Sequence, residues 1–174
     1  LHGSFQVRAT GLALGEQVEN LVSAGSREGA PVVATAVIEA ASPRQNVVTA
    51  TRDGGGWLRS EDGQIDLRIP AQALAESVEI RYATAEAIEL PENLLYAFRL
   101  EARDAAGRPV TQFAKPLVLS AFWRGGPMSQ DEMARLTLFY LNEQSGSWEE
   151  VASTVDFEWR RAVTDIAHFS VYAL

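Results

Sequence analysis

From residue 31 onward, apolar positions recur at every second residue in short runs. That is the period of strands with one face in a core and one in water. Tyr96, Phe98, Leu100 and Ala102 alternate with Arg99, Glu101 and Arg103, and Ile65, Leu67 and Ile69 alternate with Gln64, Asp66 and Arg68. Val78, Ile80 and Tyr82 repeat the pattern against Ser77, Glu79 and Arg81. Further runs are Val32–Ile38, Asn46–Thr49, Trp57–Arg59, Leu136–Tyr140 and Trp148–Val151. Pro116–Trp123 is apolar on both faces, as a strand in the middle of a sheet would be. Turn chemistry separates the runs: Arg52–Gly56, the Asp62-Gly63 pair, Asp104–Pro109 and Asn142–Ser147. About nine or ten short strands at this spacing predict an all-β, antiparallel sandwich. Ser129 and Glu132 have the spacing of a capping box and predict one or two helical turns through Met133.

The first 30 residues follow a weaker pattern. Phe5, Val7 and Ala9 alternate as a short strand would, while Leu14, Val18, Leu21 and Val22 share one face of a helix. Gly11, Gly15, Gly25 and Gly29 oppose that helix, at about 1 kcal/mol each in a helix interior. Residues 1–30 are therefore expected to be a lead-in or linker, and residues 31–174 the sandwich domain.

The final stretch, Val163–Leu174, has strand composition throughout and contains neither Gly nor Pro. Read as one buried strand, it puts Val163, Ala167, Phe169, Val171 and Ala173 on one face. Ile166, His168, Ser170 and Tyr172 take the other.

Composition narrows the function classes. A formal net charge of −8 opposes binding to nucleic acid or to anionic membrane surfaces, both of which need basic patches. No apolar run approaches the roughly 20 residues of a membrane helix, so no membrane insertion is expected. Without cysteine there is no disulfide or thiolate chemistry, and with only two histidines no zinc site is expected. The turn carboxylates Asp53, Glu61, Asp62, Asp104 and Glu143 form no calcium-loop run. No cofactor is expected. The chain begins at Leu1 and reads as part of a longer protein.

Three side-chain groups carry candidate chemistry. Trp57, Trp123, Trp148 and Trp159 would bind carbohydrate if at least two indoles stood exposed side by side, and otherwise serve as core or edge cover. Lys115, the sole lysine, would form an isopeptide bond to Asp165 or Asn93 only if buried and neutral. The third group is His168-Phe169-Ser170.

Three stretches together resemble one family: Gly55-Gly56-Trp57-Leu58 with Gly63–Pro70; Phe113–Leu119; and Leu136–Tyr140 with Trp148, Val155-Asp156 and His168–Ala173. Their order and spacing are similar to the ZU-type β-sandwich domain of ankyrins, netrin receptors and zonula-occludens scaffolds. The versions in bacterial surface and secreted multidomain proteins are most alike. The likeness runs from about Gly54 to Leu174. It implies a non-enzymatic structural or interaction module of an extracellular or cell-surface protein, with a protein partner or the neighbouring domains of its own chain. In some members of that family His-Phe-Ser is a self-cleavage site. The resemblance thus implies an alternative in which Ser170 attacks the Phe169 carbonyl and water hydrolyses the ester. His168, about 6.6 Å away on the same strand face, would be the base.

Overall fold

The computed structural model describes Arg44–Leu174 in full, together with the backbone of two earlier strands. The chain divides into two compact units, residues 1–43 and 44–174. In the first unit, β1 (Gln17–Ala24) pairs antiparallel with β2 (Val32–Glu39), from Gln17 opposite Glu39 to Ala24 opposite Val32. A lead-in without regular structure was expected over residues 10–30, and the strand Gln17–Ala24 corrects that. Its partner lies a few residues downstream, so ladder pairing overrides a weak helical spacing. The boundary expected between residues 30 and 31 falls inside this first unit. The strand expected over Phe5–Ala9 lies outside the described residues.

The second unit is an antiparallel β-sandwich. One sheet contains β3 (Val47–Ala50), β6 (Val78–Thr84), β7 (Ala97–Arg103), β9 (Leu138–Asn142), β10 (Ser147–Val151) and β13 (Val171–Ala173), in the order β10-β9-β13-β7-β6-β3. The other contains β4 (Gly56–Arg59), β5 (Ile65–Ile69), β8 (Leu117–Phe122), β11 (Thr154–Asp156) and β12 (Arg161–Ile166), in the order β11-β12-β8-β5-β4. As its apolar pattern predicts, β8 is the central strand of its sheet. The helix α1 (Gln130–Met133) is a single turn, and both reciprocal bonds of the Ser129–Glu132 capping box are present.

Inward residues of both sheets make the core. Leu58, Ile65, Leu67, Ile80, Phe98, Leu117, Leu119 and Leu138 are all fully buried. Phe98 lies at its aromatic centre, with ring centroids 5.9 Å from Tyr82, 6.0 Å from Tyr96 and 5.9 Å from Tyr172. A second cluster covers the far face of the six-stranded sheet. There Ala97, Val171 and Ala173 are buried with Leu94 against Ile88, Leu90, Phe139 and Trp148.

Polar pins join the two sheets at one end. Tyr82 on β6 donates to Asp62 in the β4–β5 turn at 2.5 Å, and Ser60 donates to the same carboxylate at 2.6 Å. The Tyr96 hydroxyl sits between the carbonyls of Gln64 (3.1 Å) and Phe122 (3.0 Å). Burial holds the phenols of Tyr82, Tyr96 and Tyr172 above their ordinary value of 10.0.

Four carboxylates are held below their ordinary range by hydrogen bonds. Asp104 accepts first from the Arg108 N–H, Glu132 from the Ser129 hydroxyl, Glu149 from the Tyr140 hydroxyl and Asp156 from the Trp159 N–H. A carboxylate with a lowered folded pKa contributes stability that is complete above its unfolded value and lost as pH falls toward the folded one. For the tyrosines, raised in the folded state, stability is complete below the unfolded value and lost as pH rises past it. The midpoint of thermal unfolding is therefore expected to be flat near neutrality, to fall below about pH 4, and to fall again above about pH 10. Differential scanning calorimetry across pH checks this. Tyrosinate absorbance from the buried phenols should appear together with unfolding, not before it.

Candidate functional site

The last twelve residues do not form one strand. Arg161–Ile166 pairs with β8 in the five-stranded sheet, while Val171–Ala173 pairs with β7 and β9 in the six-stranded sheet. Ala167–Ser170 is the corner between them. The single-strand reading is thus corrected, and with it the placement of His168 and Ser170 on one strand face. The two packed sheets lie roughly 10 Å apart, so a chain leaving one for the other must turn. Ile166 and Tyr172 both point into the core, as their shared parity predicts, but they enter it from opposite sheets. Val171 and Ala173 are buried as well, beneath the second apolar cluster.

Each corner residue has a different environment. Ala167 and His168 are exposed, whereas Phe169 and Ser170 are half-buried. The Phe169 ring packs edge-on to Phe113, with centroids 4.7 Å apart. The Ser170 hydroxyl donates to the Leu141 carbonyl on β9 at 3.1 Å, and the Ser170 carbonyl accepts from the Leu100 N–H on β7 at 3.1 Å. Ser170 thereby bonds to both strands that flank β13. Tyr172 donates its buried hydroxyl back to the His168 carbonyl at 2.5 Å. The His168 ring meets Tyr140 edge-on at 5.1 Å and lies nearly parallel to Tyr172 at 6.4 Å. Tyr140 in turn donates to Glu149, which also accepts from Asn142 at 2.6 Å.

His168, Phe169 and Ser170 together line an open cleft of about 560 Å³, with Arg99 and Arg103 from β7, Tyr140 from β9 and Glu143 from the following turn. The cleft arises because β13 is short. Among the described residues, none continues β13 past Ser170 between β7 and β9. Its charges are partly matched within it, as Arg99 lies 3.6 Å from Glu143 and 4.0 Å from Glu101.

An acyl shift at Phe169–Ser170 needs a base on the Ser170 hydroxyl. The partner of that hydroxyl is a carbonyl, which accepts the hydrogen bond without taking the proton. His168 Nδ1 is 3.4 Å from the Phe169 carbonyl oxygen, so the ring addresses the carbonyl and not the nucleophile. The non-glycine residues with positive φ among the described residues are Gln72 and Arg160, which places that form of backbone strain outside the corner.

The other candidates have ordinary surroundings. Lys115 is exposed and donates to the Ala71 carbonyl at 2.9 Å. Of the indoles, Trp159 is 62% exposed at the β11–β12 turn. Trp57, Trp123 and Trp148 are half-buried, the last two packed on separate apolar clusters. The aromatic pairs among the described residues consist of Tyr, Phe and His, so no two indoles stand side by side there. The oxygens of Asp62 accept from Ser60, the Gln64 N–H and Tyr82, and those of Asp104 from the Ala106 and Arg108 N–H groups and the Arg108 guanidinium. Sequence reasoning missed Tyr140, Leu141 and Phe113 as neighbours of the corner, and no local spacing links them to it. Tyr172 lies four residues after His168, and unbroken strand parity puts both on one strand face.

No protein-family model matches the chain, and comparison with curated proteins gives no match.

Proposed function

We propose that residues 44–174 are a non-catalytic structural or protein-interaction module of a multidomain extracellular protein, and that His168-Phe169-Ser170 is the corner that ties its sheets together. The observation that carries this reading is the Ser170 hydroxyl donating to the Leu141 carbonyl. With the Leu100 bond, this fixes where the chain enters the second sheet. The likeness to ZU-type domains supports the same reading. Self-cleavage between Phe169 and Ser170 is the competing reading, favoured by the open cleft that His168, Phe169 and Ser170 line.

Ser170→Ala separates the two. As a structural residue, Ser170 contributes one hydrogen bond, and its loss should cost about 1 kcal/mol in urea unfolding while the chain stays full length. His168→Ala should cost less, because the ring is exposed and the carbonyl bonded by Tyr172 remains. A denaturing intact mass that shows a break in the parent protein but not in Ser170→Ala would establish cleavage instead.

A further inference from the structure

We propose that the outer face of the five-stranded sheet carries a binding site for one acidic sugar unit, centred on Ser120, Arg68 and Trp57. A recess of about 240 Å³ there is lined by Trp57 on β4, Asp66 and Arg68 on β5, Ser120 on β8, and Arg161 and Val163 on β12. The strand register builds it. Asp66 lies opposite Ser120, which lies opposite Val163, and Trp57 lies opposite Arg68.

Ser120 is the polar floor. The residue is only 6% exposed, yet no buried side-chain polar atom among the described residues lacks a partner. Its hydroxyl therefore keeps contact with solvent and opens onto the recess, where a ligand can take the place of water. Charge then selects the ligand. Asp66 is offset by Arg59 at 3.3 Å and Arg161 by Asp156 at 2.9 Å. Arg68 is in no ion pair among the described residues, and its guanidinium lies 5.1 Å from the centre of the Trp57 ring. The indole thus holds ready an uncompensated fork that fits a carboxylate. The second oxygen of Asp66 accepts from sugar hydroxyls, Ser120 donates to one, and Val118 and Val163 offer carbon surface to the C–H face of a ring. A recess below the usual size of drug-like sites suits one ring.

The test is two-dimensional NMR of the full 174-residue chain titrated with glucuronate, with glucose and acetate as controls at equal concentrations. Glucuronate should saturate in the millimolar range and shift the Trp57 indole and Ser120 amide signals, and it should move them more than either control. Arg68→Gln should weaken binding by about tenfold, and Ser120→Ala by a few-fold, both with an unchanged fold by their remaining spectrum. Equal shifts from acetate would show a carboxylate site without sugar recognition and overturn the proposal. Equal binding of glucose, undiminished binding to Arg68→Gln, or no shift at Trp57 and Ser120 would overturn it as well.

Discussion

Replacing Gly55 with alanine is expected to destabilise the sandwich by about 4 kcal/mol or more. Gly55 has φ +66, and a Cβ built on it would lie 2.1 Å from the Ile69 carbonyl oxygen and 2.9 Å from the Pro70 carbonyl carbon. Both contacts are backbone and cannot swing aside. The residue closes the turn from β3 to β4, where the chain first crosses between sheets, and it exchanges hydrogen bonds with Thr51 at 2.8 and 2.9 Å. Relief of the clash would displace the end of β5 or break that turn. Gly107→Ala is the control. It has φ +78 with no atom within 4 Å of the added Cβ, so only the left-handed strain of about 1–2 kcal/mol applies. Urea unfolding of the two variants should therefore differ widely. Equal losses would mean that the close approach to Ile69 is not rigid.

Phe98→Ala should cost about 3–5 kcal/mol, the usual range for deleting a buried aromatic ring. Phe98 is fully buried on β7, and its ring touches three tyrosines that each also hold a polar bond at the sandwich ends or corner. The cavity would loosen Tyr82, which pins Asp62, and Tyr172, which pins the His168 carbonyl. Phe98→Leu keeps much of the volume and should recover more than half of the loss. A domain of this size has a total stability of roughly 5–15 kcal/mol, so the alanine variant would unfold at markedly lower urea.

The alternation of apolar and polar residues made the sandwich legible, because most strands keep one face wet. Ile65–Ile69 and Val78–Thr84 stand where their pattern puts them. The corner was hidden for a physical reason. Strand parity continues through Ile166, His168, Ser170 and Tyr172, and no Gly or Pro marks the turn. Tertiary pairing alone moves the chain from the ladder of β12 with β8 to the slot between β7 and β9. The short β11 was missed because Thr154–Asp156 holds only three residues and shows no full alternation. In the first unit the strand Gln17–Ala24 was obscured by apolar spacing that also fits a helix. The recess around Ser120 was equally hidden, since its lining comes from four strands and its key residue is an ordinary serine within an apolar run.

The most direct measurement is the intact mass of the purified protein in denaturant after prolonged incubation at mildly alkaline pH. Denaturant is essential, because Ser170–Leu174 would stay in place in the folded sheet through its ladder bonds and the burial of Val171, Tyr172 and Leu174. A single full-length mass, unchanged with time and identical in behaviour to Ser170→Ala, is the expected result. Two complementary fragments that meet between Phe169 and Ser170, growing with time and missing from Ser170→Ala, would contradict the structural role assigned to the corner.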